Sequence, residues 1–420
     1  MTDRHLFVPG GGGPTIVGGA GCWLHTADGR RILDAAGGAM VGNVGYGRPE
    51  VADAVAGALR NGAYVLPLWP TPERVALVEE LQDHWLPPGI DRVFFTSGGS
   101  ESADSALRLA RAHHVAAGRP ERWKIVGRHP SYHGITLAAL AAGSHDGRRR
   151  GYEPLLPSFP HVPWDDAEAA VKVIEAEDPA TIAAFVFEPI TGAAGACLEA
   201  DDGYWRTVGE ACRHHGILLV ADEVMTGFGR TGTRWGHDHL PVRPDIVYGG
   251  KGLGGGYVPA GMVAATAAVV EPLRGTGFMF FTFTGADAVC AGARAVLQIL
   301  RHERLVERAA AMGDVLAARL EDSLRDHAHV QPQRGRGLFR GLELVADRAT
   351  GEPFPRARGV ASTVVRECLA NDVWVYPAGS GPVQDAIMLG PPFVVDESEV
   401  ELIVDTLTAA VDVVTTAAAR

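Results

Sequence analysis

The chain of 420 residues has three lysines, Lys124, Lys172 and Lys251, against 35 arginines. Lys124 follows a polar loop and Lys172 sits in the charged run DAEAAVKVIEAE, so both read as solvated side chains. Lys251 lies in DIVYGGKGLGGGYVPAG, among glycines and apolar residues, where a charged amine is costly to desolvate unless it is paired or neutral. In a chain that spells its other cations Arg, this points to a primary amine that can lose its proton and form an imine with an aldehyde, which a guanidinium cannot do.

Asp222 precedes this lysine by 29 residues and, with Glu223, closes the apolar run ILLVAD. A carboxylate at the carboxyl end of a strand stands where open α/β sheets bind their ligands; an ordinary helix cap or loop carboxylate is the plainer alternative. Further upstream, FFTSGGSESADSALRLAR runs from an apolar strand through Ser-Gly-Gly-Ser into a helix. Small residues there expose backbone N–H groups and the positive helix end to an anion such as phosphate, although Ser97 as a simple N-cap would give the same pattern.

Other motifs are weaker. Gly227-Phe228-Gly229-Arg230-Thr231-Gly232 matches GxGxxG, but DEVMT separates it from its strand and TRWGHDHLP is a poor helix start, which argues against a dinucleotide loop. His237-Asp238-His239 lacks a third ligand at metal-site spacing, and no metal is expected. Gly98-Gly99-Ser100-Glu101-Ser102 fails the GxSxG pattern. The pairs His113-His114 and His214-His215 read as surface residues.

A net charge of −12 argues against nucleic acid and anionic membranes as partners. Five widely spaced cysteines without a CxxC, and an amino terminus (MTDRHLFVPGGGGP) with no apolar core, suggest reduced thiols in the cytoplasm. The uncharged stretch 252–270 is interrupted by glycines and Pro259 and reads as buried strand and loop rather than a membrane span.

The elements that must position these residues follow from periodicity. Apolar runs at 93–96, 125–126, 183–187, 217–221 and 246–248 recur with helical stretches between them, which predicts a mostly parallel sheet covered by helices. Ala103, Ala106, Leu107 and Ala110 share one face of a helix over 100–114; helices also follow over 165–176 and 305–324. Asp28-Gly29 between two β-prone runs predicts an opening hairpin. Beyond about residue 330, GLFRGLELV alternates like a strand, 373–376 and 387–389 repeat that character, and 398–419 closes as an amphipathic helix, together a small α+β unit.

Taken in order, TSGGSES with SALRLAR, SYHG, VFEPITGAAG, ADEVMTGFGRTG, PDIVYGGKGLGGG and VPAGMV resemble the class III aminotransferases of the fold type I pyridoxal-phosphate enzymes. The likeness runs from YGRPEV near residue 46 to GPPFVV at 390–395. It implies an N-terminal segment (1–60) joining a small domain, a large cofactor-binding domain with a mostly parallel central sheet (61–310) and a C-terminal small α+β domain (311–420). It assigns Lys251 as the Schiff-base lysine of pyridoxal 5'-phosphate and proton shuttle, Asp222 as partner of the pyridinium nitrogen, and Tyr132 and Val224 to the two ring faces. Gly99 and Ser100 would donate to the phosphate, His133 of SYHG would lie at the cofactor, and Glu188 would lie near cofactor and substrate. Thr282 would reach the phosphate of a neighbouring subunit, implying a homodimer with shared active sites. Leu68 and Trp69 would line the substrate entrance.

The implied reaction is ping-pong transfer of an amino group from an amine or amino acid to an aldehyde, ketone or keto acid. Epimerases, decarboxylases, aminomutases and lyases on the same fold are the alternative, and an oxidoreductase reading GFGRTG as its nucleotide loop is the rival from another class. One departure bears on substrate: where many amino-acid-specific members carry IRxxPPL, this chain has Ile387-Met388-Leu389-Gly390-Pro391-Pro392, and Met388 cannot hold a carboxylate. With Tyr376, Ser380, Gln384 and Asp385 nearby, the expected substrate is an amine without an α-carboxylate, or a polar or cationic one, unless another arginine such as Arg334 or Arg340 serves.

Overall fold

The computed structural model describes residues 13–62, 64–275 and 280–418. Its largest sheet has seven strands in the spatial order Ile90–Thr96, Gly261–Thr266, Ile246–Gly249, Leu218–Asp222, Ile182–Phe187, Lys124–His129 and His161–Pro163. Gly261–Thr266 is antiparallel to both neighbours, and the remaining pairings are parallel. All five expected apolar runs are strands of this sheet. The antiparallel strand occupies the stretch read as buried strand and loop.

Alternate residues of these strands feed two separate cores. Phe185, Phe187, Leu219, Ala221 and Val247 pack into one, with Tyr204, Trp205, Val208 and Cys212 of helix Asp202–His215. Ala184, Val186, Val220, Ile246 and Tyr248 pack into the other, under Ala103, Ala106, Leu107 and Ala110 of helix Gly99–Ala116. A strand buried on both faces shows no polar alternation, which is why these segments read as continuous apolar runs.

A second sheet is ordered Ile16–Ala20, Trp23–Thr26, Arg31–Asp34, Val373–Trp374, the last pair parallel, so residues near both chain ends share one sheet. The expected hairpin is present, with Gly29 at φ 87° in its turn. A third, antiparallel sheet is ordered Arg334–Arg336, Phe339–Glu343, Val383–Leu389, Tyr376–Ser380. Helices Leu305–Leu324, Val360–Ala370 and Glu397–Ala418 pack with one another and this region.

His114 departs from the surface position expected of it. It is fully buried, its Nε2 lies 2.9 Å from the Ala183 carbonyl, and burial pushes its pKa down to about 4. The helix face it occupies is turned to the sheet, and that one acceptor serves Nε2 while the buried Nδ1 has no partner among the described residues. His214 is exposed.

Candidate active site

Parallel strands bring their carboxyl ends to one edge of a sheet, and the loops leaving that edge converge. Gly99 and Ser100 follow strand Ile90–Thr96, Tyr132 and His133 follow Lys124–His129, and Glu188 follows Ile182–Phe187. Asp222 ends its own strand, with Val224 just beyond, and Lys251 follows Ile246–Gly249. All of these residues line a single cavity of about 290 Å³, and Tyr376 of the third sheet lines it from the other side.

Lys251 holds a left-handed backbone, φ 40°, a conformation that costs a non-glycine residue roughly 1–3 kcal/mol and concentrates at functional sites. Its accessible surface is cavity wall, and its amine has no hydrogen bond or ion pair to a described residue. Burial pushes its pKa down to about 8, with Asp222 and Glu188 pulling the other way.

Asp222 is buried; its Oδ1 accepts from the Val224 N–H at 3.0 Å and its Oδ2 lies 2.8 Å from His133 Nδ1. A carboxylate is the stronger acceptor, so His133 is the Nδ1–H tautomer donating to Asp222. Glu188 accepts from the backbone of Tyr132 and of Gly192, each at 3.0 Å, and so fixes the Tyr132 loop. Burial raises the Glu188 pKa to about 7, opposed by His133 and reinforced by Asp222.

Helix Gly99–Ala116 begins at Gly98 without any side-chain cap, so Ser97 is not the N-cap. Ser100 Oγ accepts from the Ile135 N–H at 3.1 Å, which ties this helix start to the Tyr132 loop. A Cβ at Gly99 would lie 2.9 Å from Val224 Cγ1, so only glycine lets these two cavity walls approach this closely.

Four expected site residues do not line the cavity of this single chain. Met388 is fully buried in a cluster with Ala36, Met40 and Phe339 and does not line the cavity. Leu68 and Trp69 are exposed, 76% and 63%, and Thr282 is exposed as well, all outside the cavity of this single chain. The arginines considered as substitutes are committed: Arg334 pairs with Glu343, and Arg340 donates to the carbonyls of Gly313, Gly335 and Gly337.

Arg148 was not anticipated. It lies on the helical turn Asp146–Arg149, lines the cavity, and sets its guanidinium carbon 4.6 Å from the Tyr132 ring centroid. It forms no ion pair among the described residues. The run GSHDGRRRGY gave no periodic signal, and three adjacent arginines there look like solvated surface.

The GFGRTG segment opens no helix. Arg230 is fully buried, donating to the carbonyls of Leu338 and Pro391 and to Asn43 Oδ1, with its guanidinium 4.6 Å from the Phe393 ring. The motif is a structural strut. Among the described residues no cluster of three or more His, Cys, Asp or Glu could hold a metal ion, and no helix is long and apolar enough to cross a membrane.

The family of class III aminotransferases matches residues 14–411. The chain belongs to that family. A taurine–pyruvate aminotransferase of Rhodobacter capsulatus is 35% identical over 94% of this chain and 90% of its own length. A putrescine–pyruvate aminotransferase of Pseudomonas aeruginosa is 31% identical over 93% of this chain and 88% of its own. A solved (S)-enantioselective omega-transaminase from Thermomicrobium roseum superposes with a TM-score of 0.91 at 33% identity, covering 98% of this chain and 96% of the other.

Class III aminotransferases use pyridoxal 5'-phosphate, and the enzyme is a pyridoxal-phosphate-dependent transaminase of fold type I, acting on small-molecule amines and carbonyl compounds. The other reactions on this fold are not favoured. The cavity suits the cofactor on its own chemistry. An uncapped helix start meets the needs of a phosphate, a buried carboxylate those of a protonated ring nitrogen, and an unpaired amine of lowered pKa those of an aldehyde.

Proposed function

We propose that this aminotransferase moves an amino group from a primary amine to a small keto acid, with pyruvate the first candidate, and that it does so at the cavity around Lys251. The observation that carries the reading is the convergence of Lys251, Asp222 and Arg148 on that one space. Pyridoxal phosphate, when bound, supplies an aldehyde that condenses with amines and a ring that takes up the electron pair left when a bond at the amine-bearing carbon breaks.

The residues divide that work. The N–H groups at the start of helix Gly99–Ala116 and the Ser100 hydroxyl would hold the phosphate, and Tyr132 and Val224 would flank the ring. Asp222 would hold a proton on the ring nitrogen, the state in which the ring serves as an electron sink. Lys251 would hold the cofactor's aldehyde through its ε-amine and, when that amine is free, would take and return the proton at the substrate's amine-bearing carbon. Glu188 holds the Tyr132 loop in place through backbone bonds.

Arg148 binds the acceptor's carboxylate. Its guanidinium is, with Lys251, one of two cationic side chains lining the cavity among the described residues, and it carries no internal counter-ion. The taurine and putrescine aminotransferases differ in donor but are both named for pyruvate as acceptor, which supports a retained keto-acid site beside a variable donor site. The expectation drawn from Met388 is a donor amine without an α-carboxylate unless another arginine serves, and the arginine lining the cavity is Arg148 rather than Arg334 or Arg340. The enzyme works as a homodimer, with Thr282 reaching the partner's phosphate.

The test is alanine formation from pyruvate with a panel of amines, including ω-amino sulfonates, diamines and arylalkyl amines. Wild type is expected to form alanine with at least one of them and Lys251→Ala with none. No alanine from any donor in cofactor-loaded protein would sink the keto-acid assignment.

A further inference from the structure

Tyr248 lies on strand Ile246–Gly249, directly opposite Asp222 in the parallel ladder, so the two side chains leave neighbouring strands on the same face. The phenol is fully buried, and a buried tyrosine hydroxyl must find a partner. It lies against the His133–Asp222 pair: its oxygen is 3.1 Å from His133 Nδ1, which is itself 2.8 Å from Asp222 Oδ2.

These three groups form a closed triangle, and the proton count decides who gives to whom. His133 Nδ1 carries its proton toward Asp222 and cannot accept a second from Tyr248. That leaves the hydroxyl proton of Tyr248 to turn toward the carboxylate of Asp222, its register partner on the neighbouring strand. Asp222 thus takes donors from the Val224 backbone and from His133, and the Tyr248 hydroxyl is the third polar group set around this buried carboxylate.

We propose that Tyr248 is a positioning residue for the His133–Asp222 pair, keeping that carboxylate aimed at where the cofactor's ring nitrogen would lie. This rests on the reading that Asp222 partners that nitrogen. A hydrogen bond to a charged group contributes about 1.5–3 kcal/mol, which corresponds to roughly ten- to a hundredfold in an equilibrium or rate. Without the hydroxyl, the carboxylate would be held less firmly where the ring nitrogen would lie, which would weaken the electron sink. His133 cannot make up the loss, because its one Nδ1 proton is already committed and its buried Nε2 has no partner among the described residues.

The experiment is a double-mutant cycle on the cofactor-loaded enzyme with Tyr248→Phe, Asp222→Asn and the pair. Three quantities are read: kcat and KM for a donor amine, the cofactor dissociation constant, and the visible spectrum of bound cofactor. Tyr248→Phe is expected to lower kcat by about tenfold or more, with KM for the amine changed less than about twofold, and to change the spectrum and weaken cofactor binding. In the Asp222→Asn background the same substitution is expected to change kcat little, because its route is gone.

A Tyr248→Phe enzyme with wild-type kcat, spectrum and cofactor affinity overturns the proposal while leaving Asp222 intact as the nitrogen partner. An equal Tyr248→Phe effect with and without Asp222 also overturns it, since the tyrosine would then be acting through packing. An Asp222→Asn enzyme with wild-type kcat overturns both this and the reading beneath it. Should the phenylalanine variant not fold, Tyr248→Met removes the hydroxyl at similar volume and is subject to the same readouts.

Discussion

The lysine that stands out by composition also stands out by physics. Lys251 is desolvated, strained and unpaired, and its amine is pushed from about 10.5 down to about 8 because burial penalises the charged form more than Asp222 and Glu188 restore it. The sign follows: a lowered amine pKa makes the neutral, nucleophilic form abundant at lower pH. In cofactor-free enzyme, labelling of Lys251 by an aldehyde with borohydride is expected to rise with pH until about 8 and then level, read by peptide mass spectrometry. A rise continuing toward 10.5 would show that the site does not lower the amine. Arg148 predicts a different split. Arg148→Ala is expected to raise KM for pyruvate by roughly ten- to a hundredfold, the loss of a charge-assisted hydrogen bond. KM for an uncharged donor amine should scarcely move, and Arg148→Lys should recover only part, because an ammonium lacks the planar fork that matches a carboxylate. Steady-state kinetics with each substrate varied in turn decides this, and equal effects on both substrates would count against an acceptor site.

At the scale of elements, what positions these side chains is a set of turns fastened from behind. Glu223 points away from the cavity and is fully buried, accepting from the Gly236 and His237 N–H groups at 2.8 and 2.7 Å, from His237 Nδ1 and from Thr226 Oγ1. The loop so held presents Asp222, Val224, Met225 and Thr226 to the cavity. Glu223→Ala would leave these donors unsatisfied at about 1–3 kcal/mol each, so a loss of roughly 3 kcal/mol or more in unfolding free energy is expected from denaturant titration. A change under 1 kcal/mol would mean that water replaces the carboxylate. The turn Asp146–Arg149 is fixed in the same way. Arg149 donates to the carbonyls of Leu140, Ala141 and Gly143, and the Asp146 N–H donates to Ser380 Oγ, leaving Arg148 facing the cavity. This explains which parts of the site were legible in the sequence. Asp222, Lys251 and the Gly99-Ser100 turn sit where an apolar run stops, and that junction is a local signal. Arg148 and Tyr248 are defined by what lies across from them, on another loop or strand, and no spacing within their own segments reports it. Gly261–Thr266 was legible only as buried, because antiparallel direction depends on neighbours remote in the chain.

The whole molecule raises the question of what covers its apolar rim. Tyr64, Leu68, Trp69, Phe280 and Phe283 are all exposed. They belong together, because the buried Arg74 guanidinium donates to the carbonyls of Val65, Leu66, Trp69 and Gly285, binding the loop at 65–69 to the turn that carries Thr282, and Tyr64 packs edge-on to Phe283 at 6.2 Å. Exposed aromatic side chains carried on two segments fastened together are costly to leave in water and suit a self-complementary contact with a second copy of the chain. Only the family resemblance suggested a role for Thr282, since its effect would be felt in another molecule's cavity. If the two sites are shared, each is built from Lys251 of one chain and Thr282 of the other, and two defective variants can repair one another. Lys251→Ala lacks the amine, and Thr282→Glu sets a negative charge against the partner's phosphate; each alone is expected to be nearly inactive. Refolded or co-expressed together at equal amounts they form heterodimers in about half of the population, each with one intact and one doubly defective site, so about a quarter of wild-type activity is expected to return. Phe283→Glu, which places a charge in the aromatic surface, is expected to abolish that recovery and to shift the protein to monomer in light scattering. Two inactive variants whose mixture stays inactive, although heterodimers are present by mass spectrometry, would show that each chain completes its own site.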